Sequence, residues 1–181
     1  GPAGLATAMA AVERGHTITI FDKFDEIGGQ LNMAKQVPGK EEFWGLVDWY
    51  RTMIAEMGIK TELGRTVVAD DLTGYDEVIV ATGVLPRDTD IPGQDGDNVL
   101  SYIDVLRHKV PVGKRVTVIG AGGIGFDVSE FLAHEGDSPT ENLPAWMREW
   151  GVTDPSEHRG GLAPEGPQPE PAARDTNGRI K

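Results

Sequence analysis

Two periods organise the apolar positions of this chain. In the Ala-rich stretch 3–14, Leu5, Ala8, Met9 and Val12 recur at three- and four-residue spacing, which predicts a helix stopped by Gly15. Residues 16–22, His-Thr-Ile-Thr-Ile-Phe-Asp, then read as a short β-branched strand closing on an acid. Beyond a flexible turn at Gly28-Gly29-Gln30, Pro38-Gly39 introduces a second helix. Its apolar positions Phe43, Leu46, Val47, Tyr50, Ile54 and Met57 keep helical spacing as far as Gly58, so it is expected to lie on a sheet.

Further along, residues 59–63 and 66–68 give two strand pieces. The run 77–82, Glu-Val-Ile-Val-Ala-Thr, has the near-continuous apolar character of a buried parallel strand and is ended by Gly83. Residues 84–98 are rich in turn formers, and Ser101 is placed to cap a short helix reaching Arg107. A strand over 115–119 then runs directly into Gly120-Ala121-Gly122-Gly123-Ile124-Gly125, with a helix expected over 126–134. The stretch 163–181 is rich in Pro, Gly and charge without an apolar period, and reads as loop or disorder.

Composition narrows the function. The 181 residues carry 17 Lys and Arg against 29 Asp and Glu, a balance that repels nucleic acid and anionic membranes. With no cysteine, disulfides, thiolate catalysis and a cluster ligated from within the chain are excluded. No leader and no membrane-length apolar run is visible, which makes the cytoplasm the expected compartment. His16, His108, His134 and His158 are scattered without metal spacing and are expected at the surface, so no metal ligand is assigned. The aromatic residues Trp44, Trp49 and Tyr50, and Trp146 with Trp150, fit core or domain contacts better than a stacking platform. No serine sits in a nucleophile elbow, and no catalytic residue is assigned.

The chemistry lies in the glycines. Gly120, Gly122 and Gly125 fill G-x-G-x-x-G between a strand and a helix. The first allows the tight turn, the second lets a pyrophosphate approach the backbone, and the third lets helix and strand pack closely. Free amides at the helix start then face the phosphates. The same pattern also occurs as a ligand-free turn. Gly1 and Gly4 match the second and third glycines of another such turn, whose first strand and first glycine would precede residue 1. Asp22, about 18 residues past Gly4, stands where an acid accepts hydrogen bonds from a ribose, although a solvated strand end would look alike. Because the sequence opens inside this turn without Met, a longer parent protein is expected.

Taken together, GPAGLATA, FDKFDEIGGQLNMAKQVPGKEEF, VIVATGVLPR followed by IPG, LSYIDVLRHKVPVGK and VIGAGGIGFDVSEFL resemble the C-terminal half of bacterial-type NADPH-dependent 2,4-dienoyl-CoA reductases. These belong to the flavoprotein group that includes trimethylamine dehydrogenase. The resemblance covers residues 1–162 and implies an α/β fold. A Rossmann-like three-layer FAD domain of the glutathione-reductase type would occupy 1–110 without its first strand. An inserted NAD(P)-binding Rossmann-like domain would start over 111–162, so that both are incomplete.

The resemblance also implies that Gly1, Pro2, Ala3 and Gly4 meet the FAD pyrophosphate and Asp22 its adenosine ribose. Gly29 and Gln30 would lie along the same cofactor, Thr66 and Val67 would face adenine, and Ala81, Thr82 and Gly83 would form a second flavin contact. Gly120, Gly122, Gly123, Ile124 and Gly125 would receive NADPH or NADH. In the whole protein electrons would pass on through an iron-sulfur cluster to FMN in an N-terminal barrel, neither group being bound by this chain. The alternatives are the nucleotide-binding module of a trimethylamine or histamine dehydrogenase-like flavoprotein, and an inactive partial gene product. Lacking strand partners, the isolated chain is expected to fold poorly or to bind FAD weakly.

Overall fold

The structure is a computed structural model and describes residues 1–161; the expectation for 163–181 lies outside the described residues. The chain divides into two compact units. One comprises Gly1–Gln36 with Glu42–Thr117, the other Val37–Glu41 with the residues from Val118 onward.

In the first unit, helix α1 (Pro2–Val12) leads to strand β1 (Thr19–Phe21). Helices α2 (Leu31–Ala34) and α3 (Glu42–Glu56) cross over to strand β2 (Lys60–Glu62). The strands pair in parallel with Thr19 opposite Lys60, Ile20 opposite Thr61 and Phe21 opposite Glu62. Flanking bonds from Lys60 N to the Ile18 carbonyl and from Asp22 N to the Glu62 carbonyl lengthen the ladder. This is a mixed α/β unit, and parallel pairing of this kind needs such a helical crossover.

The apolar periods read from the sequence become its core. Leu5, Ala8 and Met9 of α1 bury against Val47, Tyr50 and Ile54 of α3, with Ile27 and Ile59. Leu5 and Val47 are the most enclosed, each only 1% exposed, and either one truncated to Ala would cost about 2–5 kcal/mol. Helix α4 (Tyr102–Leu106) forms where Ser101 was expected to cap it, and Ser101 Oγ accepts from Asp104 N at 3.2 Å.

The second unit contains α5 (Gly123–Ala133) and α6 (Leu143–Trp150). Segment Val37–Glu41 is held there by Lys40 Nζ, which donates to both carboxylate oxygens of Asp127 at 2.7 and 2.6 Å, and by Thr140 Oγ1, which donates to Glu41 at 2.6 Å. Helix α5 begins at Gly123 rather than at residue 126, because the glycines after the turn adopt helical geometry themselves.

Three of the expected strands do not form. Residues 66–68, 77–82 and 115–119 have no strand partner among the described residues. A strand exists by pairing, and an apolar run without a neighbour stays an extended segment with its side chains in solvent. Val80 is accordingly 79% exposed and Ile119 76%.

Surface expectations also need correction. His16 and His108 are exposed, whereas His134 and His158 are half-buried because one ends α5 and the other sits inside a turn; His134 Nε2 and His158 Nδ1 are enclosed without a hydrogen-bond partner. Of the aromatic residues expected in core or domain contacts, Tyr50 is in the core, whereas Trp44 and Trp49, off the buried face of α3, and Trp150, on a helix without buried residues, are about half exposed or more and are not core residues. Among the described residues no helix is long and apolar enough to cross a membrane.

Candidate functional site

The residues read from the first glycine cluster converge in the first unit. Gly1 is the N-cap of α1, and its carbonyl accepts the first helical bond from Leu5 N at 3.1 Å. Pro2 fits the next position because it has no N–H to leave unpaired and its φ is already helical. No side chain caps this end, so the amides at Ala3 and Gly4 remain among the orphan donors of the first turn. The Asp22 carboxylate lies at the same place, with Oδ2 3.7 Å from the Gly1 nitrogen and Oδ1 accepting from Phe24 N at 3.1 Å.

The turn at residues 28 and 29 closes the other side of Gly1. Gly29 has φ +56°, and a Cβ there would lie 2.7 Å from the Gly1 Cα, so both its conformation and its surroundings require glycine. A Cβ on Gly4 would come to 3.4 Å of the Ala81 side chain, which places Ala81 against the helix start. Gly1, Gly4, Asp22, Gly29 and Ala81 thus share one locality. Gln30, Thr66, Thr82 and Gly83 are exposed and Val67 half-buried, and no bond joins their side chains to that group.

The second cluster builds its own turn in the second unit. Gly120 has φ +115°, and a Cβ on Gly125 would overlap the Gly120 carbonyl oxygen. At Gly122 and Gly123 added methyl groups would meet nothing within 4 Å, leaving the backbone open to a ligand. Gly122 caps α5 without a side chain, and the first helical bond runs from Phe126 N to its carbonyl at 3.1 Å. Ile124 is exposed beside it.

The helix ends differ in a way that bears on ligands. Asn142 Oδ1 caps α6 by accepting from Ala145 N at 3.1 Å, as Ser101 caps α4, whereas the two glycine-opened helices are bare. A side-chain cap satisfies donors that a phosphate would otherwise take. The bare ends, open backbone and tight glycine contacts fit two dinucleotide pyrophosphates.

Sequence reading gave Asn32 no role, yet it is buried directly behind the Gly28-Gly29 turn. The available signal was a polar residue between Leu31 and Met33 in an otherwise apolar helical turn. The Lys40–Asp127 pair left no signal, because its members are far apart in sequence. A shallow groove of about 230 Å³ along α1 and α3, lined by Ala6, Met9, Ala10, Glu13, Trp49 and Tyr50, includes none of the glycine-turn residues.

Bare helix starts opened by glycines, one with an acid over it, are the mark of dinucleotide-binding proteins. The chain belongs to the pyridine nucleotide-disulphide oxidoreductase family, whose model matches residues 1–150. It is therefore an FAD- and NAD(P)H-binding oxidoreductase domain, although with no cysteine it cannot itself form the disulphide of the family's name.

Among its relatives, an NADH oxidase of Thermoanaerobacter brockii is 35% identical over 77% of this chain and 22% of that protein. A cinnamate reductase of Clostridium sporogenes is 33% identical over 77% of this chain and 21% of that protein. The solved structure of a 2-naphthoyl-CoA reductase bound to 2-naphthoyl-CoA matches with TM-score 0.70 and 32% identity, covering 74% of this chain and 20% of the other. The chain thus spans about a fifth of the length of these relatives.

Proposed function

We propose that this chain is the part of a 2,4-dienoyl-CoA reductase that takes hydride from NAD(P)H onto FAD. The observation that carries the cofactor reading is the pair of uncapped, glycine-opened helix starts at Gly1 and Gly122, the first with Asp22 over it. FAD, when bound, would supply the two-electron redox chemistry that links the nicotinamide to the next acceptor. The chain's own residues bind and orient.

Amides at Ala3 and Gly4 hold the FAD pyrophosphate, Pro2 shapes the turn, and Asp22 accepts from the adenosine ribose. Gly29 and Gln30 line the cofactor, with Thr66 and Val67 at adenine and Ala81, Thr82 and Gly83 at the flavin. Gly120, Gly122, Gly123, Ile124 and Gly125 form the nicotinamide cofactor's pyrophosphate turn. On this reading residues 1–110 belong to an FAD domain of the glutathione-reductase type and 111–162 open the inserted nicotinamide domain.

The acyl-CoA substrate is supported by the long sequence stretches quoted above and by the likeness to a reductase whose structure holds 2-naphthoyl-CoA. The partners of the reading are an FMN barrel and an iron-sulfur cluster elsewhere in the parent protein. The test is an anaerobic spectrum. A flavin band that bleaches on adding NADPH, followed by reoxidation with a 2,4-dienoyl-CoA in the parent protein, supports the proposal. Bleaching without reoxidation by any dienoyl-CoA overturns the substrate, and a parent protein that takes up no flavin overturns the cofactor assignment.

A further inference from the structure

Helix α5 carries an acid close to its glycine-opened start. Asp127 follows Gly123 by four residues, so the two lie on one face of the helix, about 6 Å apart along its axis. Side chains on a helix tilt toward its N-terminus, which brings the Asp127 carboxylate toward the open backbone at Gly123. A lone negative charge there would oppose a phosphate group, since physiological salt screens charges only beyond about 8 Å. Lys40 answers that charge. Its Nζ donates to Oδ1 of Asp127 at 2.7 Å and to Oδ2 at 2.6 Å, and both side chains are half-buried.

The turn that delivers Lys40 is fastened by other groups. Lys40 N donates to the Val37 carbonyl at 3.1 Å and Gly39 N to Glu41 Oε1 at 2.9 Å, while Thr140 Oγ1 donates to Glu41 Oε2 at 2.6 Å. In sequence this turn lies between α2 and α3 of the first unit, yet it belongs with α5 to the second. The Lys40 ammonium is therefore not needed to hold the turn in place.

We infer that Lys40 is the counterion of Asp127 beneath the Gly120–Gly125 turn, neutralising the acid so that the bare start of α5 can receive the pyrophosphate of NADPH or NADH. This rests on the nicotinamide reading of that turn. Lys40 acts through Asp127 and touches no phosphate itself.

The test is a calorimetric titration of the oxidised parent protein with NADP+ and with NAD+, which reads binding without turnover. Lys40→Met is expected to weaken whichever nucleotide the wild type binds by about tenfold at low salt, and the defect should shrink as salt is raised. Adding Asp127→Asn removes the stranded charge and should restore wild-type affinity. A lysine that touched the phosphates directly, or that only fastened the turn, would leave the double variant as weak as Lys40→Met, and that result overturns the inference. Wild-type affinity in Lys40→Met at low salt overturns it as well. Where Lys40→Met fails to fold, the double variant decides alone: wild-type affinity supports the counterion role, and weakened affinity overturns it. A wild-type parent that binds neither nucleotide overturns the nicotinamide reading itself, and the inference with it.

Discussion

Gly29 and Gly1 meet backbone to backbone, with the place of a Gly29 Cβ only 2.7 Å from the Gly1 Cα. Gly29→Ala must therefore push the turn away from the start of α1 while also straining a φ of +56°. The expected cost is about 1–3 kcal/mol with FAD affinity down by at least tenfold. Gly15→Ala is the control, because Gly15 has φ +88° but nothing within 4 Å of an added methyl. It should lower the melting temperature and leave FAD affinity alone.

Asp22→Asn keeps the shape of the side chain and removes its charge. If Asp22 accepts from the ribose, FAD and ADP affinity should fall together by about tenfold, the usual scale for a charged acceptor. An unchanged affinity for both ligands would return Asp22 to a solvated strand end.

Gly125→Ala drives a methyl into the Gly120 carbonyl and pries α5 from its turn. NADPH should then fail to bleach the flavin, while FAD uptake measured by absorbance stays at the wild-type level. Loss of both activities together would argue that the two turns do not serve separate cofactors.

Glu41 sets a pH dependence. Burial pushes its carboxyl up, but hydrogen bonds from Thr140, Ser138 and the backbone at Glu41 and Gly39 outweigh this and bring it down to about 2. The folded pKa is thus lower than the ordinary value of 4.5. The unfolded chain takes up the proton first, so this contribution to stability is present above that value and is lost as pH falls toward 2. Thermal melts should show the decline between those two values. Glu41→Gln should flatten it there and lower stability at neutral pH, where the contribution of the ionised carboxylate is fully present.

The helices were legible because a helix declares itself locally. Leu5, Ala8 and Met9 mark their face of α1 from three- and four-residue spacing alone, and Ser101 announces α4 by its own capping chemistry. Residues 77–82 show why the strands were less so. Their apolar run expresses a demand for burial, but whether it is met depends on another segment lying alongside, which the run cannot encode. The glycine turns were legible as patterns, whereas the contact of Gly29 with Gly1 joins separate turns and left no periodic trace. Asn32 was obscured for a related reason, since a polar letter in an apolar helix does not say which of its atoms is left unpaired.

The β1–β2 pair carries a consequence for how the first unit assembles. Its register joins Thr19 to Lys60 across two intervening helices, so forming the first rung closes a loop of about forty residues before any ladder energy is returned. Such pairing is slow compared with helix formation, and three-residue strands offer little to hold an early encounter. The order of events favoured by the architecture is therefore collapse of α1 onto α3 through Leu5 and Val47, followed by zippering of the strands. Because Asp22 lies at the end of β1, the acid over the α1 start would reach its final position only in that last step.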